Sequence, residues 1–421
     1  MKKFLKKITP KFLINFYHLN LAFFGALIYR WPSRKLKIIG VTGTKGKSSC
    51  VYLIGKILEE VDPQVGWISS ISIKDGKTEK PNPYNMTMPG RFAIQKNLFR
   101  IAKAGGKYAV VEVTSEGVLQ HRHRFIDFDT AVFTNLAPEH IEAHGSFEEY
   151  KQAKGQFFKS LDENGQMVIN LDDDHADYFL NFSAKKKIGY GLKDHQINIK
   201  QVKPERYQIK KNGLIFSLNN LEFELSLLGK FNLLNALAAL AVASCYEIDL
   251  VVVKKALEKI KRINGRMEEI KQGQSFRVFV DMAHTPDSYQ QVFELANDLP
   301  HQKIIAVFGA TGGGRDKWKR PEMGKIAARF SDYIVITNDD PYNEDERKIA
   351  QDIAVGFNGQ VNYEIIIDRR KAIKKALEIA SAEDIVLVLG KGAERVIKLK
   401  EGNVSWDDRQ VIKEELATAK K

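Results

Sequence analysis

The chain of 421 residues is 44% hydrophobic and carries 65 lysine and arginine residues against 52 aspartate and glutamate residues, a formal net charge of +13. This composition is typical of a soluble globular protein of about three domains and argues against a disordered chain. Two cysteines, Cys50 and Cys245, are too few for a disulfide framework and lack metal-ligand spacing, so a cytoplasmic location is predicted.

The excess positive charge is concentrated near the N-terminus. Before Glu59, the first acidic residue, the sequence has twelve basic residues: Lys2, Lys3, Lys6, Lys7, Lys11, Arg30, Arg34, Lys35, Lys37, Lys45, Lys47 and Lys56. The remainder of the chain is close to neutral and has no basic stripe interleaved with aromatic residues. Nucleic acid is therefore not expected as a partner.

Residues 12–29 form an uncharged run, FLINFYHLNLAFFGALIY, at the lower limit of length for a transmembrane helix. One narrow helical face, among large apolar residues, holds Lys11, Asn15, His18, Ala22 and Gly25. This pattern favours a helix in a membrane interface, with the flanking cations attracted by anionic lipid. A helix packed on the protein or on a partner subunit is an equal alternative, and a spanning helix is a minor one. A signal peptide is disfavoured, because YRWPSRK stands where a cleavage site should be.

The first chemical motif is a phosphate-binding loop in residues 40–49, GVTGTKGKSS, between an apolar stretch and a helical pattern. Glycines let backbone N–H groups face a phosphate, and the helix N-terminus adds a partial positive charge. Lys47 is expected to reach the terminal phosphates and Ser48 to bind Mg²⁺. With Gly40 as the first glycine, the spacing to Gly46 is longer than in the strict pattern. The alternative is a surface turn.

From residue 36 to about residue 260, short apolar runs alternate with helical patterns, which predicts a parallel sheet with helices on both faces. Residues 107–113 and 130–135 are predicted strands that end in polar residues. Ligands bind at the carboxyl ends of such strands, so Glu112 is a candidate Mg²⁺ ligand. His140 and Lys154 would, taken singly, be ordinary structural or solvated residues.

An ordered series of motifs continues from this loop to the end of the chain. The series is GVTGTKGKSS (40–49), EVTSEGVLQHR (112–122), FTNLAPEHIEAHG (133–145), YKQAKGQFF (150–158), NLDDD (170–174), LLGKFNLLNALAA (227–239), NGRMEEI (264–270), VDMAHTPDS (280–288), FGATGGGRDKWKRPEMG (308–324), TNDDPYNED (337–345), GKGAE (390–394) and WDDRQ (406–410). In order and spacing it resembles the Mur ligases, and among them the UDP-N-acetylmuramoyl-tripeptide synthetase branch.

The resemblance implies an α/β protein with a central ATP-binding domain of the phosphate-loop type and a C-terminal Rossmann-like domain. The expected divisions are a basic, apolar helical segment over residues 1–35, the central domain over 36–265 and the last domain over 266–421. Predicted strands in the last domain are FRVFVDM, KIIAVFGA, DYIVITN, YEIIID and DIVLVLG.

The implied activity is that of an ATP-dependent ligase, which joins an amino acid to a carboxylate of a peptidoglycan precursor. A carboxylate is a poor acyl donor because it would have to expel oxide, so the γ-phosphate is first transferred to it. The resulting acyl phosphate is attacked by the amine through a tetrahedral intermediate. Such phosphoryl transfer depends on positioning and charge neutralisation, so the implied cofactors are ATP and Mg²⁺.

Carried over residue by residue, the resemblance assigns four groups to catalysis: Lys47, Glu112, His140 and Lys154. The implied metal ligands are Ser48, Glu112, His140 and Lys154. The implied nucleotide-binding residues in the loop are Gly43, Thr44, Gly46, Lys47, Ser48 and Ser49. Asn232 and Asn235 match positions near the adenine, Arg266 a position at the phosphates, and Asp281 and His284 the ribose side. Lys319 and Arg320 are expected near the phosphates when the last domain closes. Lys154 matches a lysine that the family carries as a carbamate, which requires a neutral amine and therefore a lowered pKa.

The implied substrate-binding residues form two groups. Positions matching contacts to the muramoyl peptide are Thr87, Thr114, Gln120 and Arg122, next to Met88 and Glu116, where the family more often has threonine and histidine. The amino-acid site is assigned to Asp339, Asp340, Tyr342, Gly390 and Glu394. Tyr342 stands where diaminopimelate-adding members have arginine, and Asp340 and Glu394 would suit a cation, so L-lysine is favoured.

Tripeptide synthetases normally begin with a uridine-nucleotide-binding domain, whereas 39 residues precede Gly40 here. We therefore expect that domain to be absent and the N-terminal segment to bring the enzyme to a lipid-linked precursor. Alternative functions are a subunit that amidates a lipid-linked precursor together with a glutaminase, a folylpolyglutamate or poly-glutamate ligase, and a non-catalytic nucleotide-binding scaffold. The sequence does not decide the oligomeric state.

Overall fold

The structure is a computed structural model that describes residues 10–84, 86–139 and 141–418. His140 and the four lysines that precede residue 10 lie outside these ranges. The helices are α1 (Lys11–Ile28), α2 (Lys47–Glu59), α3 (Arg91–Lys103), α4 (Ser115–Leu119), α5 (Ile141–His144), α6 (Phe147–Phe158), α7 (Ala176–Leu180), α8 (Lys230–Cys245), α9 (Leu250–Lys259), α10 (Pro286–Asp298), α11 (Lys319–Phe330), α12 (Glu346–Ala354), α13 (Arg369–Ile379) and α14 (Asp408–Thr418).

Strands alternate with these helices along most of the chain. They are β1 (Lys37–Thr42), β2 (Gly66–Ile68), β3 (Ser72–Lys74), β4 (Glu79–Pro81), β5 (Tyr108–Glu112), β6 (Thr130–Phe133), β7 (Gln166–Asn170), β8 (Lys186–Tyr190), β9 (Lys200–Val202), β10 (Arg206–Lys210), β11 (Gly213–Leu218), β12 (Leu221–Leu225), β13 (Glu268–Glu269), β14 (Arg277–Asp281), β15 (Ile304–Phe308), β16 (Tyr333–Ile336), β17 (Asn362–Ile365), β18 (Ile385–Leu389), β19 (Val396–Leu399) and β20 (Gly402–Ser405).

The first sheet has the order β4-β3-β2-β5-β1-β6-β7-β8-β9 and is parallel from β2 to β9. Its two faces are covered by separate hydrophobic cores, one contributed by α2, α8 and α9 and the other by α3, α6 and α7. In the centre of the sheet, Val41 pairs with Glu112 and Thr42 pairs with Phe133. The carboxyl ends of β1, β5 and β6 therefore meet at one edge, where the predicted site residues follow the strands.

The second large sheet has the order β13-β14-β18-β15-β16-β17, and its strands are parallel except for β13. Helices α10, α11 and α12 pack on one face, and α13 and α14 pack on the other. The α/β class and the strands predicted for this part of the chain are confirmed. The domain boundaries proposed from the sequence remain a prediction.

Two features differ from the sequence-based predictions. Gly40 lies inside β1, not in the phosphate loop, and pairs with Val111 and Ala131. A Cβ at Gly40 would lie 2.3 Å from the Phe157 ring, so glycine is required there by packing. The antiparallel strands β10, β11 and β12 were also not predicted. Residues 206–225 alternate weakly, and their pairing is decided by contacts that a local pattern does not contain.

Helix α1 confirms the predicted helix and packs on α3 through its small residues, with Ala22, Gly25 and Ala26 buried. In the described part of the chain, no helix combines the length and apolarity needed to cross a membrane. One face of α1 is thus packed on the protein, which was one of the two alternatives predicted, and the opposite face of α1 is exposed.

Candidate active site

A cavity of about 830 Å³ lies at the carboxyl ends of the first sheet. One wall is the phosphate loop with the ends of β5 and β6, and the opposite wall comes from segments of the second sheet. Those segments are residues 281–288, 339–342 and 390–398. The phosphate loop with Glu112 and Lys154 is called the nucleotide end, and residues 339–342 and 390–398 are called the amino-acid end. Both ends open into the same cavity.

The phosphate loop proper runs from Gly43 to Gly46, and both glycines have positive φ, +152° and +78°. A Cβ at Gly43 would lie 1.9 Å from Thr134 Oγ1, which allows only glycine at this position. Lys47, the first residue of α2, donates from Nζ to the carbonyl oxygens of Gly43 (3.0 Å) and Thr44 (2.8 Å). Burial lowers the pKa of Lys47. The loop thus holds a cation at a helix N-terminus, as phosphate binding requires.

Ser48 lies at the centre of a polar cluster beside the loop. Its Oγ donates to Glu112 Oε2 at 2.9 Å and lies 2.6 Å from Ser70 Oγ. Arg266 Nη2 reaches the same hydroxyl at 3.2 Å, and the Ser70 backbone N–H donates to Glu112 Oε2 at 2.9 Å. The predicted residues Ser48, Glu112 and Arg266, which come from separate parts of the chain, thus lie together, and Ser70 contacts Ser48 and Glu112.

A hydroxyl and a carboxylate in contact fit Mg²⁺, which is usually held by one or two carboxylates, substrate phosphates and water. Among the residues the structure describes, no three His, Cys, Asp or Glu side chains form a metal-binding group. Ser48 and Glu112 therefore fit an ion that takes most of its ligands from phosphate and water. Ser70 could have been found from the sequence, because it follows the apolar run of β2 at the same sheet edge.

Lys154 lies on α6 with its side chain fully buried. Its Nζ donates to the Gly43 carbonyl oxygen at 2.6 Å and lies 4.5 Å from the centre of the Tyr150 ring. Burial, followed by the positive charge of Lys47, lowers the pKa of Lys154 well below its usual value. This environment favours the neutral amine that carbamate formation needs.

Glu139 links the loop to the second half of the chain and was missed by the sequence analysis. Its Oε1 lies 3.3 Å from Lys45 Nζ and 3.3 Å from His284 Nε2. His284 is further held by a 2.7 Å contact between its Nδ1 and the Met282 carbonyl oxygen. Its position next to His140 in the FTNLAPEHIEAHG motif is the signal that could have identified Glu139.

The two asparagines predicted near the adenine lie on α8, beneath the loop. Asn235 Nδ2 donates to Asn232 Oδ1 at 3.1 Å, and Asn232 Nδ2 donates to the Leu228 carbonyl oxygen at 2.8 Å. A Cβ at Gly46 would lie 2.5 Å from Asn235 Oδ1. Asn235 lines the cavity, whereas Asn232 holds Asn235 from behind.

Asp281, predicted on the ribose side, fixes the segment that joins the two sheets. Its carboxylate accepts the backbone N–H groups of Met267 (2.7 Å) and Ala283 (2.7 Å). Burial raises its pKa. Met267 has a left-handed φ of +43°, so these hydrogen bonds stabilise a turn that directs the preceding Arg266 towards Ser48.

Residues 316 and 317 of the glycine-rich motif contact α5, the short helix that follows β6. The Glu142 backbone N–H donates to Asp316 Oδ1 at 3.1 Å, and the Lys317 N–H donates to Glu142 Oε1 at 3.3 Å. Lys319 is buried in this region, and burial lowers its pKa. The expectation that Arg320 comes near the phosphates when the last domain closes stays a prediction. Arg320 is fully buried and bound to Glu344 (2.9 Å) and Asp352 (2.8 Å), so it serves packing within the last domain.

The residues predicted for the muramoyl peptide lie at the other end of the cavity. Thr87, Thr114 and Arg122 line it, and Gln120 does not. Gln120 instead accepts Arg122 Nη2 at 2.8 Å through its side-chain oxygen. Thr114 accepts the Gly117 N–H at 3.0 Å and so caps α4. Arg122 is thereby held in position, and burial lowers its pKa.

The predicted amino-acid residues converge around a lysine that the sequence analysis did not single out. Lys391 is fully buried, with its Nζ 2.7 Å from Asp340 Oδ1, 2.5 Å from Glu394 Oε2 and 3.5 Å from Asp339 Oδ1. Burial alone would lower its pKa, but the three carboxylates outweigh burial and raise it.

Lys398 adds a second cation to this cluster. Its Nζ lies 3.2 Å from Asp340 Oδ2 and 5.7 Å from the centre of the Tyr342 ring. Asp340 and Glu394 are therefore already paired, which corrects the argument that they are available to a cationic substrate. Tyr342 remains at the cavity wall with a left-handed φ of +56°, and Gly313 packs against its ring.

Two family models match the chain. One, described as the Mur ligase middle domain, matches residues 41–243. The other, described as the Mur ligase, glutamate ligase domain, matches residues 265–392. Together they cover the phosphate loop, the carboxylate and lysine beside it, and most of the amino-acid end of the cavity.

Among individual proteins, a UDP-N-acetylmuramoyl-L-alanyl-D-glutamate–2,6-diaminopimelate ligase of Caldanaerobacter subterraneus is 36% identical over 395 residues, which is 93% of this chain and 80% of the relative. A UDP-N-acetylmuramyl-tripeptide synthetase of Borreliella afzelii is 37% identical over 412 residues, 94% of this chain and 80% of the relative. A solved structure of a diaminopimelate ligase matches with a TM-score of 0.60 and 31% identity, covering 92% of this chain and 79% of that one.

Proposed function

Because the chain belongs to the Mur ligase family, as its motifs predicted, we propose that its cavity activates the carboxylate of a muramoyl dipeptide and joins a diamino acid to it. Members of this family are ATP-dependent ligases that form an amide bond between an amino acid and a muramoyl peptide. The observation that carries the proposal is the convergence of Lys47, Ser48, Glu112 and Lys154 at one edge of the sheet, facing a second site 339–342 across the same cavity.

The reaction has two steps. In the first, a carboxylate oxygen of the acceptor attacks the γ-phosphorus of ATP, the bond to the β–γ bridging oxygen breaks, and acyl phosphate and ADP result. In the second, the amine attacks the acyl carbon, phosphate leaves, and the amine loses a proton. Each step moves negative charge between oxygens, so fixed cations at the phosphates contribute most.

The loop residues bind the phosphates in this scheme. Gly43, Thr44, Gly46 and Ser49 shape the turn and the first residues of α2, and Lys47 exchanges its two loop carbonyl contacts for phosphate oxygens. Arg266 approaches the same place from the segment between the sheets. Asn235 borders the nucleotide at the loop, and His284 and Lys319 border it from the last domain.

Ser48 and Glu112 would hold Mg²⁺, with His140 as a further ligand proposed from the family motif. A bound Mg²⁺ neutralises phosphate charge as it transfers. The chain's own contribution is to hold the Ser48 hydroxyl and the Glu112 carboxylate next to each other, with Ser70 bonded to both.

Lys154 is proposed to be carbamylated. Its neutral Nζ attacks carbon dioxide, the N–C bond forms, one proton leaves, and an anionic oxygen pair results next to the cation Lys47. The lowered pKa and the contact of both lysines with the Gly43 carbonyl oxygen support this proposal.

The proposed incoming amino acid is L-lysine ahead of diaminopimelate. The extra carboxylate of diaminopimelate would need a bidentate cation, and the phenol of Tyr342 cannot supply one. With Asp340 and Glu394 paired to Lys391, the preference rests on Tyr342 alone. The muramoyl peptide is proposed to lie along Thr87, Thr114 and Arg122.

The test is phosphate release from ATP and Mg²⁺ with UDP-linked or lipid-linked muramoyl dipeptide as acceptor and L-lysine, diaminopimelate or ammonia as amine. Acceptor-dependent release with L-lysine, together with a tripeptide product seen by mass spectrometry, is expected. A Glu112→Gln variant should lose this release, whereas a variant of the exposed β12 residue Glu222, Glu222→Gln, should keep it. Release with ammonia alone would replace the proposal by an amidating function, and acceptor-independent hydrolysis would contradict it.

A further inference from the structure

Helix α1 has two faces of different composition. Ala22 and Ala26 are 2% and 0% exposed against α3, and a Cβ at Gly25 would lie 3.5 Å from the Arg91 carbonyl oxygen. Small side chains on this face let the two helices pack closely, so α1 is fixed to the body of the protein along a narrow strip.

The opposite face is apolar and exposed. Eight of the 21 exposed large hydrophobic residues in the described part of the chain lie on this one helix: Phe12, Leu13, Phe16, Tyr17, Phe23, Phe24, Leu27 and Ile28. Asn20, the polar residue on this face, donates its side-chain amide to the Phe16 carbonyl oxygen at 2.8 Å. Eight exposed apolar side chains on one uncharged helix face are typical of an interaction site.

The charge around this face restricts what can cover it. No acidic residue occurs in residues 1–35, whereas eight basic residues do: Lys2, Lys3, Lys6, Lys7, Lys11, Arg30, Arg34 and Lys35. Arg30, Arg34 and Lys35 are exposed just after α1. Arg34 lies 5.4 Å from the centre of the Trp31 ring, which in turn packs edge-on against Phe23. The three features lie in a fixed order: first the cations, then the indole of Trp31, then the apolar face. This order fits the headgroup, interface and acyl layers of an anionic bilayer.

We propose that the outer face of α1, defined by the eight residues above, docks on the surface of an anionic lipid membrane with the helix lying in its plane. A second copy of the chain is a poorer fit, because a symmetric contact through α1 would bring the exposed cations Arg30, Arg34 and Lys35 of two copies together. At about 1.5 Å per residue, the eighteen residues of α1 extend roughly 27 Å along the membrane surface.

Docking would also orient the cavity. Arg91, which packs against Gly25, donates from Nε to the Gln120 carbonyl oxygen at 3.0 Å, and the Gln120 side chain holds Arg122. The acceptor end of the cavity is therefore linked to α1 by direct contacts. Membrane binding is proposed for the full chain and does not depend on ligase activity.

The experiment is co-sedimentation of the full chain with vesicles of phosphatidylcholine alone or mixed with phosphatidylglycerol. The chain should bind the mixed vesicles, and the double variant Phe16→Gln/Leu27→Gln should bind at least about tenfold more weakly. The control is Val251→Gln/Val355→Gln, which replaces isolated exposed residues that are 64% and 70% exposed on other elements. This control should bind as the unaltered chain does.

Thermal unfolding by circular dichroism should show that the α1 double variant remains folded, since the replaced side chains are exposed. Replacing Arg30 and Arg34 by glutamine should weaken binding to the mixed vesicles and reduce its sensitivity to salt. Absence of binding to mixed vesicles, or equal binding by the α1 variant, would overturn the proposal. A dimer in light scattering that the α1 variant abolishes, without vesicle binding, would assign the face to a second copy.

Discussion

The nucleotide end and the amino-acid end of the cavity each contain a fully buried lysine, and the two environments oppose each other. Lys154 contacts a carbonyl oxygen and lies near the cation Lys47, and its pKa is lowered. Lys391 lies among Asp339, Asp340 and Glu394, and its pKa is raised. Burial is common to both, so the neighbouring charges explain why the pKa falls for Lys154 and rises for Lys391.

This difference separates a chemical group from a structural one. A neutral amine is a nucleophile, so the lowered pKa of Lys154 supports its proposed reaction with carbon dioxide. A lysine whose pKa is raised by three carboxylates is not a nucleophile near neutral pH, but its ion pairs hold those carboxylates in place. We therefore expect replacement of Lys391 to affect folding most and replacement of Lys154 to affect catalysis most.

The largest effect is expected for Lys391→Met, which keeps the side-chain volume and removes the charge. Loss of this cation leaves Asp339 and Glu394 without this ion pair and Asp340 with Lys398 alone. It should lower the free energy of unfolding by about 3–5 kcal/mol. Urea unfolding measures this directly. Lys374→Met, which replaces an exposed lysine on α13, is the control and should change stability by less than about 0.5 kcal/mol. Equal stability of the two variants would show that Lys391 is not charged when buried.

The next effect is expected for Lys154→Met at the nucleotide end. Loss of its proposed anionic carbamate should lower kcat for acceptor-dependent phosphate release by about 10²–10³-fold. Stability should fall by only about 1 kcal/mol, the value of one hydrogen bond to the Gly43 carbonyl oxygen. Gln156→Ala, on the exposed face of the same helix, should keep full activity. Depletion of carbon dioxide should slow the unaltered enzyme and leave Lys154→Met unaffected.

The sequence predicted the parts of this comparison that depend on local pattern. Strand ends, the glycine loop and Glu112 follow from hydrophobic runs and motif spacing. Gly40 was misplaced, because only its tertiary neighbours show that it packs against Phe157. The pairing of Arg320 with Glu344 likewise depends on tertiary contacts that the sequence does not show. The pairing of Lys391 was missed for the same reason, since Asp340 lies 51 residues away in the chain.

The comparison also predicts opposite pH dependences. A lysine whose pKa is lowered on folding binds fewer protons in the folded state, so its contribution to stability rises with pH up to the unfolded pKa of about 10.4. Lys391 has a raised pKa, so its stabilisation is complete below about pH 10.4 and is lost only as pH rises through the raised value.

Urea unfolding between pH 8 and 10, without carbon dioxide, should therefore show a slope for the unaltered chain that exceeds that of Lys154→Met. The difference should be at most about 1.4 kcal/mol per pH unit, the value for one proton. The difference between the unaltered chain and Lys391→Met should stay constant across the same range. A slope difference of the opposite sign for Lys154→Met would show that this lysine is protonated when folded.

The smallest effect is expected at the wall of the amino-acid end, where Tyr342 lines the cavity beside Lys398. Tyr342→Arg adds a planar cation that can bind a carboxylate with two hydrogen bonds, so kcat/KM for diaminopimelate relative to L-lysine should rise about tenfold. The matched control is Tyr363→Arg, an exposed tyrosine on β17. Because Asp340 and Glu394 are held by Lys391 in both enzymes, the change should appear in the ratio of the two substrates and not in unfolding. An unchanged ratio would mean that Lys398, not residue 342, meets the distal end of the amino acid.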